Sequence, residues 1–312
     1  MRFYVDTWDP AYGVAMKILE LEDSTAEVDV GVEVSGDKWR PIDADGATKL
    51  PETVWFLDGV RRIDARAWIQ QADSDAEPGI CASYAAGVVR CDGTARIERV
   101  DVQRGLFSSS REAIDVETTC GPYPVKKTTS PSPEKLSQAL QDCMGELEAQ
   151  LANAVGADKD ESLLILDGPR KHGQQLATAV GFIKTHDKSY LPPEQHAVIA
   201  SLEPGQRTPV FHLGTKYRRH SWYLRLPGPA GAPWAGIVRC ECSPNLAADD
   251  VVALADRTAR LLPRFASAEH KDPRAPQNLY PIGGLERDLR HRLGDQALLY
   301  RSLRSAASLV GP

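Results

Sequence analysis

A chain of 312 residues, 42 % of them apolar, can bury a sizeable core as one large domain or two. A net charge of −6 argues against a generally adhesive coat for nucleic acid, although it permits a local basic groove. No run approaches the roughly eighteen apolar residues of a membrane span. The opening Met1-Arg2-Phe3-Tyr4-Val5-Asp6 places charge where a signal peptide would be apolar, so a cytoplasmic protein with no membrane partner is expected.

Residues 1–45 carry alternating segments such as Ala26–Val34 and predict a peripheral N-terminal β-ribbon, a candidate docking or dimer segment. Three long strand-like stretches follow, from Val54 to Ile69, Ile80 to Val89 and Ala95 to Phe107. Cys91-Asp92-Gly93-Thr94 is a hairpin signal between the last two, so a meander is the natural order. Thr118–Pro133, rich in Pro, Ser and Thr, predicts an exposed loop. Ser132 then caps a helix with Pro133 in its first turn, and Leu136, Leu140, Met144, Leu147, Leu151 and Val155 step by three and four along one face.

This helix leads into the apolar run Leu163–Leu166. A short helix, a strand over Ala179–Lys184, a strand pair near Thr208–Leu213 and Trp222–Leu226, and a strand over Ile237–Cys242 are expected next. Ala247–Phe265 reads as an amphipathic helix, Asp272–Pro281 as an extended Pro-rich stretch, and Leu285–Leu303 as a last, basic helix. No repeat or linker stands out, so residues 46–312 are expected to form one α/β domain beside the ribbon. The six cysteines show no CxxC pair and no zinc-type His spacing, and read as reduced, structural thiols.

Two apolar runs end in Asp-Gly: Val54-Trp55-Phe56-Leu57-Asp58-Gly59 and Leu163-Leu164-Ile165-Leu166-Asp167-Gly168. A carboxylate closing an apolar strand is costly unless a cation meets it. Three meandering strands, a helix and then a strand bearing a second acid is the element order of a ribonuclease H-like mixed sheet flanked by helices. That order makes the first and fourth strands neighbours and would pair Asp58 with Asp167, a repulsion that a hard divalent ion relieves. On the intervening helix, Glu148 flanks the apolar face while Glu146 points towards solvent, so Glu148 is the preferred third acid.

Basic clusters at Lys126-Lys127, Arg170-Lys171, Lys184 with Lys188, and Lys216 to His220 could line one groove. Arg61 and Arg62 either touch a phosphate backbone or pair with Asp64. His186 reads as a core histidine. No GxGxxG follows a strand and no GxSxG occurs, which disfavours a dinucleotide enzyme and a serine hydrolase.

Phe56-Leu57-Asp58-Gly59, Leu164-Ile165-Leu166-Asp167-Gly168-Pro169, Gly181-Phe182-Ile183-Lys184 and the late Tyr280-Pro281 resemble the ordered motifs of the NurA nucleases, over about residues 50 to 300. The resemblance implies a ribonuclease H-like core, a homodimer, DNA as substrate, Mn²⁺ or Mg²⁺ as a pair of ions, and a HerA-type hexameric ATPase as partner. It places Asp58 on the first-strand acid, Asp167 on the fourth-strand acid, Glu148 on the helix acid, Lys184 on a strand lysine and Tyr280 on the tyrosine of the Tyr-Pro motif. The chain departs from the family pattern at Asp288, where a histidine is usual, and at Val60, where a serine is common. His291 stands one helical turn beyond Asp288.

The mechanism expected from these residues is two-metal phosphodiester hydrolysis. Asp58 would bridge the ions, Asp167 and Glu148 would each complete one, Asp288 or His291 would close the shell, and Lys184 would meet a phosphate. The competing expectation is a protein of the same fold that has lost its chemistry and serves as a DNA-binding or scaffold subunit.

Overall fold

The computed structural model describes residues 22–23, 26–70, 75–155, 162–170, 178–186, 188–214, 218–228 and 234–310. In chain order the first strands are β1 (Glu22–Asp23), β2 (Glu27–Asp29), β3 (Ile42–Asp43), β4 (Thr53–Ile69), β5 (Glu77–Cys91), β6 (Ala95–Ser108) and β7 (Val125–Lys127). Helix α1 (Pro133–Ala154) precedes β8 (Ser162–Asp167), β9 (Val180–Ile183) and β10 (Lys188–Ser189). Helix α2 (Pro193–Ser201), β11 (Gln206–Arg207), β12 (Phe211–Gly214), β13 (Arg219–Arg225) and β14 (Ile237–Cys242) come next. The chain closes with α3 (Ala248–Leu261), α4 (Tyr280–Arg292) and α5 (Gln296–Val310).

This mixed α/β chain divides into two compact units. The first comprises Met1–Phe56, Arg90–Ala95 and Val155–Gly283, and the second Leu57–Val89, Arg96–Ala154 and Gly284–Pro312. In the first unit the strand order is β2-β12-β13-β14-β9-β8. β8 and β9 run parallel, and the remaining neighbours in that order are antiparallel. β8 is apolar from Leu163 to Leu166, in keeping with its burial on both faces up to the partly exposed Asp167. Phe211, Leu213, Tyr223 and Ile237 form a core with Leu191, Ile199 and Leu202, against which Trp39 and Trp234 pack. Helix α3 covers the other side of β13, where the Trp222 indole donates to Thr258 at 3.1 Å.

In the second unit β4, β5, β6 and β7 lie side by side in sequence order, so the meander is present. The loop expected at 118–133 contains β7, whose Val125–Lys127 pairs in parallel with Leu106–Ser108. Helix α1 starts as its sequence dictates: Ser132 Oγ accepts from the Lys135 amide at 3.3 Å, and Leu136, Leu140, Met144, Leu147 and Leu151 are buried. Leu303 of α5 joins Cys81, Leu106 and Tyr123 in a second core cluster.

The described part of residues 1–45 pairs with later strands: β1 with β10, β2 with β12 and β3 with β11. Residues 1–21 and the short helix expected just after Gly168 fall outside the described residues. Three further differences have local causes. The strand expected near Thr208–Leu213 is β12, which starts only at Phe211, after a separate short β11 that ends at Arg207, because Pro209 between them cannot donate to a ladder. Asp272–Pro281 is a run of turns, closed by bonds from the Ala275 amide to the Asp272 carbonyl and from the Asn278 amide to the Arg274 carbonyl, not an extended stretch. The single last helix is two: Gly294 takes a φ of +89°, which ends α4, and Asp295 caps α5 through the Leu298 amide at 2.8 Å.

Candidate functional site

The acids singled out from sequence are distributed over both units. In the second unit, Asp58 lies on β4 and is 8 % exposed, and Glu148 lies on α1 and is 5 % exposed, whereas Glu146 faces solvent. Gly59 brings strand and helix together, for a Cβ at this position would overlap Oε1 of Glu148 and stand 3.1 Å from Cγ of Met144. Asp58 Oδ1 accepts from the Gly59 amide at 2.7 Å. Asp58 and Glu148 thus approach the same backbone unit, and a side chain at position 59 would push the Glu148 carboxylate aside.

In the first unit, Asp167 closes β8. Lys184, just past β9, donates to Asp167 Oδ2 at 2.6 Å and to Asn278 Oδ1 at 3.0 Å. Asn278 Nδ2 in turn donates to Asp272 Oδ2 at 2.7 Å. The parallel register, with Asp167 opposite Phe182, puts the lysine two residues on within reach of the carboxylate. Asp167 Oδ1 is buried and has no hydrogen-bond partner among the described residues. A buried carboxylate oxygen left without a donor is costly and suits a cation.

The remaining candidates are placed as follows. Tyr280 opens α4, is 40 % exposed and carries the Lys271 ammonium 5.4 Å from its ring centre. Asp288 accepts from Arg292 Nε at 2.5 Å along α4, and His291 is exposed. Arg62 donates to Asp64 at 2.9 Å and to the Gly294 carbonyl at 2.9 Å. Ser83 and Tyr123 also donate to Asp64, at 2.5 and 3.0 Å, so this buried acid is a structural hub. Arg61 bonds Gln141. His186 is buried between Tyr223 and Trp234, with Nε2 3.2 Å from the Ile237 carbonyl, and burial pushes its pKa down to about 4.

The basic clusters are largely occupied within their own units. Lys127 donates to the Ser110 carbonyl, Arg219 faces the fully buried Glu241 at 3.2 Å, and Arg170 donates to the Ala179 carbonyl. Lys171, Lys216 and Tyr217 lie outside the described residues. All six cysteines are free thiols.

Sequence reasoning passed over Asn278 and Asp272, the residues that orient Lys184. Nothing in a turn-rich Pro segment announces that its amide will reach a lysine 94 positions away. It also passed over Arg207, a fully buried guanidinium clamped by Glu33 at 2.8 and 2.9 Å and by Asp256 at 2.7 Å. Burial alone would depress the Arg207 pKa, but Glu33 and Asp256 outweigh it and raise it.

Among the described residues no three or more His, Cys, Asp or Glu side chains are grouped closely enough to hold a metal ion together, and no helix is long and apolar enough to cross a membrane. No protein-family model matches the chain, and no curated protein does.

Proposed function

We propose that the chain is a metal-dependent DNA nuclease of ribonuclease H-like architecture, similar to the NurA nucleases, with Asp58, Glu148 and Asp167 as its acids. One observation carries this reading: Asp167, at the end of a buried apolar strand, keeps a carboxylate oxygen for which the described residues supply no hydrogen-bond donor. The burial of Asp58 and Glu148 on either side of Gly59 is in keeping with it, since it sets two of the expected acids on facing elements of one unit.

Mn²⁺ or Mg²⁺, when bound, would polarise the phosphate and lower the pKa of an attacking water. The acids would supply hard oxygen ligands. Lys184 would orient Asp167 while the Asn278–Asp272 pair holds its ammonium in place. This differs from the direct phosphate contact expected of Lys184, because its ammonium is already committed to a carboxylate and an amide oxygen. Tyr280, partly exposed, remains available to stack on a nucleotide. Asp288 and His291 enter the reading as the acid and base candidates of α4, with Arg292 as the competitor for Asp288.

The test is hydrolysis of single-stranded and duplex DNA with Mn²⁺ or Mg²⁺. Asp58→Asn and Asp167→Asn should each lower the rate by about a thousandfold or more, with circular dichroism unchanged. Metal-dependent cleavage retained in both variants removes the assignment.

A second reading is a subunit of the same architecture without chemistry, which binds DNA or acts as a scaffold. It is favoured by the Lys184–Asp167 ion pair, which already neutralises one acid. Calorimetric titration with Mn²⁺ separates the two, because the inactive subunit gives no carboxylate-dependent heat. We also propose, on the sequence resemblance alone, that the working form is a homodimer engaged with a HerA-type hexameric translocase in DNA end processing.

A further inference from the structure

Four adjacent strands of the first unit carry a row of potential metal-ligating residues in direct register. Asp29 of β2 is opposite His212 of β12, His212 is opposite His220 of β13, and His220 is opposite Cys242 of β14. Directly opposed residues present their side chains on one face of a sheet, so the row is continuous. At its centre the two imidazole rings lie 5.1 Å apart between centroids, inclined at 69°. His220 is 9 % exposed, and its Nδ1 is buried with no hydrogen-bond partner among the described residues. His212 is half-buried and Asp29 exposed, which leaves the row open at the Asp29 end.

We propose that His212 and His220 form a cross-strand binding site for a zinc-type transition-metal ion, with the Asp29 carboxylate beside them as the neighbouring charge. Two imidazoles on one tetrahedral zinc, each with a Zn–N bond of about 2.0–2.1 Å, place their ring centres about 5 Å apart. The observed separation matches, and only the ring orientation must change, about a soft sp³–sp² torsion. Burial lowers the pKa of His220 and His212 lowers it further, while a backbone hydrogen bond to Pro244 and the charge of Asp29 act in the opposite sense. The neutral imidazole is the form that binds a metal.

Cys242, at the far end of the row, does not join them. Its buried thiol donates to the Ser243 carbonyl at 3.8 Å, and no three such side chains among the described residues are close enough to share an ion. The site therefore offers two nitrogens completed by water, a set that suits Zn²⁺, Ni²⁺ or Cu²⁺ rather than Mn²⁺ or Mg²⁺. The exposed Asp29 carboxylate, whose Oδ1 accepts from the Gly31 amide at 2.8 Å, stays outside it as a neighbouring charge. It stands independently of the nuclease reading and uses none of its residues. A metal here would tie β12 to β13.

The experiment is calorimetric titration of the EDTA-treated full chain with ZnCl₂, together with thermal unfolding with and without zinc. The wild type should bind one zinc per chain and unfold at a higher temperature when loaded. His212→Asn, at the more accessible position, should weaken binding by at least about tenfold and abolish the thermal shift while the metal-free melting temperature stays near that of the wild type. Asp58→Asn should bind zinc as the wild type does. Absence of zinc binding in the wild type, or binding unchanged in His212→Asn, overturns the proposal.

Discussion

Charged and polar side chains in this chain are decided by what is close in space, and the outcome ranges from structural to functional. Arg62 could have met a phosphate or Asp64, and it takes Asp64 together with the Leu293 and Gly294 carbonyls just past the end of α4. Glu148 and Glu146, two positions apart on one helix, end on opposite sides of the boundary between interior and solvent, as their phase relative to Met144 and Leu151 predicts. His186 was equally legible as a core residue, and its burial carries a consequence for stability. Its folded pKa of about 4 lies below the ordinary value of 6.5, so the folded chain binds fewer protons than the unfolded chain in between. The stabilisation is complete above pH 6.5 and is lost as the pH falls towards 4, by about 3 kcal/mol in all. Urea midpoints measured from pH 7 to 4.5 should therefore fall more steeply for the wild type than for His186→Gln, which keeps a donor for the Ile237 carbonyl. Parallel curves would show that His186 does not titrate in this window.

Elements are set by local chemistry more firmly than by apolar period. The period across Leu285–Leu303 is continuous enough to suggest one helix, yet Gly294 and Asp295 carry a stop and a start side by side. Gly294→Ala should destabilise the protein by about 1 kcal/mol, because an L-residue with a side chain resists the positive φ. Asp295→Ala should cost about the same through loss of the cap on α5. A shifted denaturant midpoint with an unchanged slope checks both, and a Gly294→Ala midpoint equal to the wild type would argue for one continuous helix. Pro209 acts similarly in the sheet, standing between β11 and β12, where it has no amide to donate to a ladder. Helix α2 went unpredicted although Pro193 stands in its first turn, because only Gln195 and Ile199 are buried and the apolar face is too short to register.

For the molecule as a whole, static light scattering at micromolar concentration should return twice the mass of one 34.1 kDa chain, and a monomer would count against the proposed homodimer. Sequence by itself determined the α/β class, the order of the strands β4 to β6, the start of α1 and the apolar strand that ends in Asp167. These depend on periodicity, caps and turn residues within a few positions of one another, where the physical cause is local. Tertiary structure alone decided which charges meet. Lys184 was visible as a strand-end lysine, but its partners Asp167 and Asn278 stand 17 and 94 positions away. Arg207 reaches back 174 positions to Glu33, and the Asp29–His212–His220–Cys242 row exists only through the register of four strands. An ion pair or a ligand row needs atoms within a few ångströms, and no spacing along the chain encodes that distance once the partners belong to different strands.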